Sequence, residues 1–582
     1  MSAIQQLLTD HIDIWTAAET EKRSGRGRAS GNAGSVYGIK KLRELILELA
    51  VRGKLVPQDA NDEPACELLK GIQAKKAKLI AEGKIKKDKP LAAITEDEKP
   101  FELPKGWEWV RVGQVGHDWG QKEPDSNFTY IEVSAIDSTR GVVSSPGLVA
   151  PEDAPSRARK IVKKGTVIYS TVRPYLLNIA VIEEEFSPEP IASTAFAIVH
   201  PFCLMPPRYF LSFFRSPVFV RYVESVQMGI AYPAINDGQF FSGLIPLPPI
   251  EEQHRIVAKV DELMALCDQL ENQHSNAAEA HEKLVSHLLG TLTQSQNAED
   301  FSANWQRIAA HFDTLFATDA SIDALKQTLL QLAVMGKLVP QNANDEPASE
   351  LLKRIQAEKA KLISEGKIKK DKPLTPITDV EKPFELPLRW EWVRLSDIAT
   401  QITDGAHHTP EYISDGVPFL SVKNLSSGCL DFTDTRFISP VAHADLTKRC
   451  NPEFDDILLT KIGTTGIAVV IDDPRPFSIF VSVALIKLPK ILIDRDYLSL
   501  VINSPFVRQQ SEDGTEGVGN KNLVLRKINT FDIPFAPLAE QHRIVAKVDE
   551  LMALCDQLKS RITDASRLQQ KLADVLVEQA VA

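Results

Sequence analysis

The 582-residue chain sets 67 Lys and Arg against 78 Asp and Glu, a formal net charge of −11, with 43% apolar and 25% charged residues. That composition is ordinary for globular protein and long enough for about three to five domains, while the acidic balance excludes indiscriminate nucleic-acid coating but leaves room for local basic faces. No window holds eighteen uninterrupted apolar residues, and the opening MSAIQQLLTDHIDIW has acids where a signal peptide needs a basic region and an apolar run, so a cytoplasmic protein with no membrane partner is expected.

In chain order, residues 4–22 read as a helix and 24–35, SGRGRASGNAGS, as a flexible linker inside an N-terminal helical region, 1–106. The text from Leu49 to Arg111 returns at Leu332 to Arg394 with 51 of 63 positions identical. Each copy reads as a helix, a turn at Gly53–Pro57 or Gly336–Pro340, a second helix starting near Pro64 or Pro347, and a lysine-rich exit. Lys75, Lys76, Lys78, Lys84, Lys86, Lys87 and Lys89 with their counterparts are the most basic stretches, read equally as a solvated face or as a contact to phosphate or an acidic partner.

A second duplication is stricter: EQHRIVAKVDELMALCDQL stands at Glu252–Leu270 and again, letter for letter, at Glu540–Leu558. Its apolar positions Ile256, Val260, Leu263, Cys267 and Leu270 step by fours and threes, and in the second copy Ile544, Val548, Leu551, Cys555, Leu558, Ile562, Ala565, Leu572 and Leu576 continue the same seam. That heptad seam predicts long helices at 251–290 and 538–580 pairing as a coiled coil. Each would run about 60 Å, too long for one small domain to cover.

Between the repeated blocks lie two segments of similar length and different text, 112–245 and 395–533. Runs such as YIEVSAI (130–136), GTVIYSTV (165–172), LNIAVI (177–182), VPFLSVKNL (417–425), DDILLTKI (455–462) and IFVSVALIKL (479–488) are strand signals, and helices at 209–226 and 497–510 close each segment. The fold class expected is α+β: two tandem mixed α/β domains, 107–249 and 390–537, joined by a central region 250–389 and flanked by a last helix, 538–582.

The order LPKGWEWVRVGQV, strands, SPVFV helix, Gly-rich loop and IPLPPIEEQHRIV, repeated as LPLRWEWVRLSDI through SPFV to IPFAPLAEQHRIV, resembles the specificity subunits of type I restriction–modification systems over nearly the whole chain. The long repeated blocks resemble one subgroup of that family. One departure is Leu388-Arg389 where the first copy has Lys105-Gly106 before the tryptophan, so the turn there is expected to differ. The resemblance implies two target-recognition domains, each reading half of a split double-stranded DNA site, and helices in an antiparallel coiled coil that space the domains and dock two methyltransferase subunits for adenine methylation. A restriction and translocase subunit joins for ATP-dependent cleavage. It further implies that this chain is non-catalytic and binds no cofactor, with S-adenosylmethionine, ATP and magnesium used by the partners.

Candidate DNA contacts follow from side-chain chemistry. Arg and Lys match guanine edges, Asn and Gln match adenine, and flanking Lys neutralises phosphate. In the first domain these are Arg157, Arg159 and Lys160 with Lys163 and Lys164, then Arg173, Tyr175 and Asn178, and in the last loop Tyr232, Asn236 and Gln239. In the second they are His407, His408, Lys423, Asn424, Lys448, Arg449, Lys461, Thr464 and Thr465, then Asn520, Lys521 and Asn522. Each segment is net acidic, −2 from 11 basic and 13 acidic residues in the first and −5 from 13 and 18 in the second, so affinity must come from concentrated patches and from partners.

Other motifs fall short. Gly514–Lys521 lacks the Gly-Lys-Ser/Thr junction of a phosphate loop, Pro206-Pro207-Arg208-Tyr209 lacks the leading Asn or Asp of an adenine methyltransferase, and no nucleophile stands in a triad context. The six cysteines, Cys66, Cys203, Cys267, Cys429, Cys450 and Cys555, form no CxxC pair, and no metal site is expected. A scaffold binding two protein ligands and a fused restriction–modification enzyme are the competing functions.

Overall fold

A computed structural model describes residues 11–17, 36–87, 91–229, 232–370, 374–517 and 521–581. The expected linker, most of the helix at 4–22, Lys89 and Asn520 lie outside the described residues. The chain divides into two compact units, Met1–Ala277 with Ala565–Ala582, and Ala278–Asp564.

In the first unit, the helices Ile12–Ala17 and Tyr37–Val51 pack closely: a Cβ on Gly38 would fall 2.3 Å from the Trp15 carbonyl oxygen, and Trp15 is fully buried. Tyr37–Val51 ends at Gly53, whose φ of +68° suits glycine and whose missing Cβ would meet Pro104 at 2.5 Å. In the second unit the helix Asp319–Val334 ends the same way at Gly336, φ +68°, with Pro387 at 2.5 Å. The lysine-rich helices, Ala65–Ala81 and Ala348–Ser364, begin after Pro64 and Pro347 as expected. One lysine of each is drawn inward, Lys76 donating to the Gly113 carbonyl (3.0 Å) and Lys359 to that of Ser396 (2.5 Å).

Each recognition segment is closed at its neck by an antiparallel ribbon, Glu108–Arg111 with Leu244–Leu247 and Glu391–Arg394 with Asp532–Phe535. Behind the ribbon the repeated Glu-Gln-His-Arg shows its purpose. The Trp107 indole N–H donates to Glu252 Oε2 (2.9 Å), Gln58 Nε2 donates to Glu252 Oε1 (2.6 Å), Gln253 Nε2 donates to the Pro248 carbonyl (3.0 Å), and Arg255 pairs with Asp62 (2.6 Å). The second unit repeats every contact: Trp390 to Glu540 (3.0 Å), Gln341 to Glu540 (2.5 Å), Gln541 to Ala536 (2.8 Å), Arg543 with Asp345 (2.7 Å). The turn before Trp390 does differ. Gly106 has φ +90° whereas Arg389 is not left-handed, yet both carbonyls accept the helix-opening N–H, of Ala65 and Ala348, at 2.9 Å.

Above the first neck are a six-stranded sheet in the order 116–117, 196–201, 167–170, 179–181, 142–143, 136–137 and a four-stranded one in the order 147–149, 128–131, 190–193, 158–161. The second domain is built on four strands, 401–404, 483–487, 457–460 and 468–470, and three more, 436–438, 417–420 and 478–479. The architecture is mixed α and β. The single helix expected at 209–226 is two, Pro207–Arg215 and Pro217–Val226, because Pro217 cannot continue the first helix and Ser216 caps the second. Ser504-Pro505 splits the other, Arg495–Asn503 from Pro505–Asp513, in the same way.

The long helices run Ile250–Gln294 and Leu538–Val581. In the first unit Ile256, Val260, Leu263 and Cys267 are buried and Leu270 half-buried, in one core with Ala573, Leu576 and Val577 and with Ile39, Leu42 and Leu45 of the Tyr37–Val51 helix. In the second, Ile544, Val548 and Cys555 are buried and Leu551, Leu558 and Ile562 half-buried; Cys555, Leu551, Leu558 and Ile562 share a core with Val285, Leu289 and Leu292 and with Leu325, Leu329 and Leu332 of the Asp319–Val334 helix. The seam is therefore wider than a two-helix pairing, the repeated short helix filling it in each unit. Ala565 and Leu572, expected on the seam, are exposed. A straight helix drifts about 20° per heptad, and beyond Ile562 the buried position is Ala573 in place of Leu572, with Leu576 and Val577 both half-buried.

Replacing Trp107 with Phe strands a buried carboxylate without its indole donor and should cost about 1–3 kcal/mol in urea unfolding. Burial raises the Glu252 and Glu540 carboxyls above their ordinary value, outweighing the Trp and Gln donors. The folded state thus holds these protons more tightly than the unfolded chain, a contribution greatest below the usual Glu range and lost as pH rises through the raised folded value. Between about pH 4 and pH 7, a Glu252→Gln, Glu540→Gln chain should lose less stability than the parent.

Candidate nucleic-acid interface

The sequence-predicted contacts divide by what their side chains touch. In the first recognition domain Lys160 is buried, clamped between Asp118 (2.7 Å) and Asp237 (3.1 Å). Burial would lower its ammonium, but the two carboxylates outweigh it and raise it. Lys160 therefore holds the sheet to the Asp237–Ser242 helix and does not reach outward. Asn236 and Gln239 are also committed: they form a reciprocal cap, the Asn236 carboxamide accepting from the Gln239 N–H (2.9 Å) and Gln239 Nε2 donating to the Val226 carbonyl (2.7 Å). Arg159 is half-buried beside Glu123 (3.4 Å).

What remains outward is Arg157, Lys164, Arg173, Tyr175 and Tyr232, with Asn178 half-buried and Lys163 lying over the Trp119 ring at 4.2 Å. Arg173 and Tyr232 come together, the guanidinium 5.1 Å from the ring centroid, although 59 residues of chain separate them. Their loops are joined by the Arg173 N–H, which donates to the Pro233 carbonyl at 2.8 Å.

The second domain is organised by a residue that sequence reading missed. Asp404, 2% exposed, accepts from Lys461 (2.9 Å), Arg449 (2.5 Å) and His407 (3.0 Å). Burial alone would raise its carboxyl, but Lys461 and then His407 outweigh this and hold it below the ordinary carboxylate range. Lys461 is buried by the pairing, whereas Arg449 and His407 keep half their side chains in solvent. The Lys461 carbonyl and the Gly463 N–H bond to Leu523 (2.7 Å) and Lys521 (3.0 Å), so the loop with exposed Thr464 adjoins Lys521 and the Asn522–Leu523 strand. His408 is exposed, and Thr465 is half-buried against Thr515 (3.4 Å).

One further candidate serves the fold. Asn424 is buried and donates to the Asp431 and Asp434 carbonyls (2.9 and 3.3 Å), pinning a loop. Lys423 pairs with Asp434 (2.9 Å) and Lys448 with Asp445 (3.0 Å), both at the surface. The signal for Asp404 was only a carboxylate closing a strand before glycine, QITDG, which equally describes an exposed turn. Among the described residues no group of His, Cys, Asp and Glu could hold a metal ion, and no helix is long and apolar enough to cross a membrane.

The arrangement is one of presentation: charged and amide groups on loops braced by buried ion pairs, suited to hydrogen-bonding base edges and phosphate. Asp404→Ala would leave Lys461 buried without a counter-charge and should cost about 3–5 kcal/mol in thermal unfolding. His408→Ala or Lys521→Ala, at exposed positions, should stay within about 0.5 kcal/mol of the parent.

Comparison with known proteins places these domains. The family model for the type I restriction modification DNA specificity domain matches residues 104–280 and 387–565, so it meets the chain twice, once over each neck and recognition segment. Over its full length and theirs, the chain is 41% identical to the type I restriction enzyme EcoAI specificity subunit and 40% identical to the EcoEI specificity subunit, both of Escherichia coli. A solved structure described as "Structural basis underlying complex assembly and conformational transition of the type I R-M system" shares the fold at a TM-score of 0.51 and 23% identity, covering 83% of this chain and 99% of that one. With two family domains on duplicated necks and full-length relatives of the same build, the chain belongs to the family of type I restriction–modification specificity subunits.

Proposed function

We propose that the chain reads a bipartite, asymmetric stretch of double-stranded DNA, the domain at 107–249 contacting one half-site and that at 390–537 the other. The observation that carries this is the pairing of matching necks with different outward chemistry. Above the first neck the outward groups include Arg157, Arg173, Tyr175 and Tyr232; above the second they include His407, His408, Arg449, Thr464 and Lys521. Equal scaffolds holding unequal reading surfaces produce two different half-sites.

The long helices set the gap between the half-sites and carry two methyltransferase subunits, with a restriction subunit joining for cleavage. Catalysis, S-adenosylmethionine, ATP and magnesium belong to those partners. In support, Ala565, Leu568, Leu572 and Val575 repeat by threes and fours on the solvent side of the second long helix, and Leu284 stands exposed at the position equivalent to Leu572 on the first. Such stripes suit a partner helix. The lysine-rich exits, exposed at Lys86, Lys87, Lys369 and Lys370, would neutralise phosphate outside the half-sites.

Exchanging residues 112–245 for the corresponding segment of a relative should change one half of the methylated target and leave the other intact, read by mapping methyladenine across a genome. Inserting whole turns into both long helices should widen the gap by about 1.6 bp per 5.4 Å turn with both half-sites unchanged. A swap that altered both halves would refute the assignment of one domain to one half-site. The purified chain alone should transfer no methyl group from S-adenosylmethionine.

A further inference from the structure

The loop after the Val167–Ser170 strand and the segment before the Asp237–Ser242 helix together expose five large apolar side chains, Val172, Tyr175, Leu176, Met228 and Tyr232, at 41–69%. Apolar surface clustered in this way marks a contact face. Bridges from Val172 and Met228 to Ala234 tie the two segments together. Arg173 (φ 49°) and Leu177 (φ 51°) hold left-handed conformations on either side of the Pro174–Leu176 turn. Residues with a Cβ persist there only when their surroundings over-determine them, so this loop is held in the conformation that turns Tyr175 and Leu176 to solvent. Arg173, stacked on Tyr232, sets a positive charge within the apolar surface, a combination complementary to a polyanion that also presents apolar groups. The corresponding loop of the second domain exposes Gly463 and Thr464 instead.

Resting on the DNA-reading function above, we propose that this patch reads thymine: its apolar side chains pack on the C5-methyl groups in the major groove while Arg173 takes a neighbouring guanine edge. Thymine alone among the bases shows an apolar group there. Five side chains spread over two segments make a broad surface, which fits methyl packing better than a wedge driven into one base step.

The test uses the complex of the full chain with its methyltransferase partner and duplexes of the mapped target in which each thymine of the first half-site is replaced in turn by uracil, which removes only the methyl. At least one replacement should weaken binding by roughly fourfold, the worth of one buried methyl. The chain carrying Tyr175→Ala and Leu176→Ala, both at the surface, should bind thymine and uracil duplexes equally. A first half-site without thymine on either strand, uracil duplexes that all bind like the parent, or a double variant that keeps the thymine preference would each overturn the inference while leaving the bipartite reading intact. A complex whose binding depends on neither half-site would overturn the DNA-reading function itself.

Discussion

Everything in each unit hangs from a carboxylate that water does not reach. Glu252 is 1% exposed, yet it joins the tryptophan that opens the recognition segment, the glutamine of the preceding turn, and the helix that follows the segment's exit. A buried carboxylate without donors is among the costlier defects a protein can carry. The indole and the amide must therefore arrive together, which fixes the neck in one geometry whatever lies above it. Glu540 imposes the same constraint in the second unit. This is why two domains with such different strand orders stand on necks of the same geometry.

Much of this was legible in the text. The duplicated helices, the turn glycines and the cores of the strand runs depend on local pattern or on repetition, and the structure places them where the pattern puts them, although YIEVSAI and VPFLSVKNL leave the strand for a short 3-10 turn, Val133–Ala135 and Val422–Asn424, after their first residues. The repeated seam was legible near its start, where Ile256 and Ile544 are fully buried, but not at its far end, where a heptad frame and a 3.6-residue helix diverge and Leu572 turns outward. Nor did the long helices' spacing disclose that a shorter repeated helix would share the seam.

The interface was less legible, because a lysine that contacts phosphate and a lysine that neutralises a buried aspartate look alike in sequence. Lys160 and Lys461 have carboxylates 42 and 57 positions away as their partners, brought close only by the sheets. Asn424 and Gln239 have amides suited to adenine and spend them on backbone, while Asn236, exposed, spends its carboxamide oxygen on a helix cap. Residue type identified the chemistry; burial decided which copies of it remain available to a ligand.

One difference between the halves bears on how such chains diversify. Glu48, buried in the helix below the first domain, accepts from Arg52 (2.8 Å) and from Arg221 of the domain itself (3.0 Å). The equivalent site of the second half is Gln331, which accepts from the Phe506 N–H (3.2 Å), and Arg52 is replaced there by Met335. A segment of the first kind moved onto the second base would bring Arg221 to a neutral amide and lose its counter-charge. A segment of the second kind moved onto the first base would bring its N–H to a carboxylate that accepts at least as well. At this point each base is thus matched to its own segment, the first by a carboxylate facing a guanidinium and the second by an amide facing a backbone N–H.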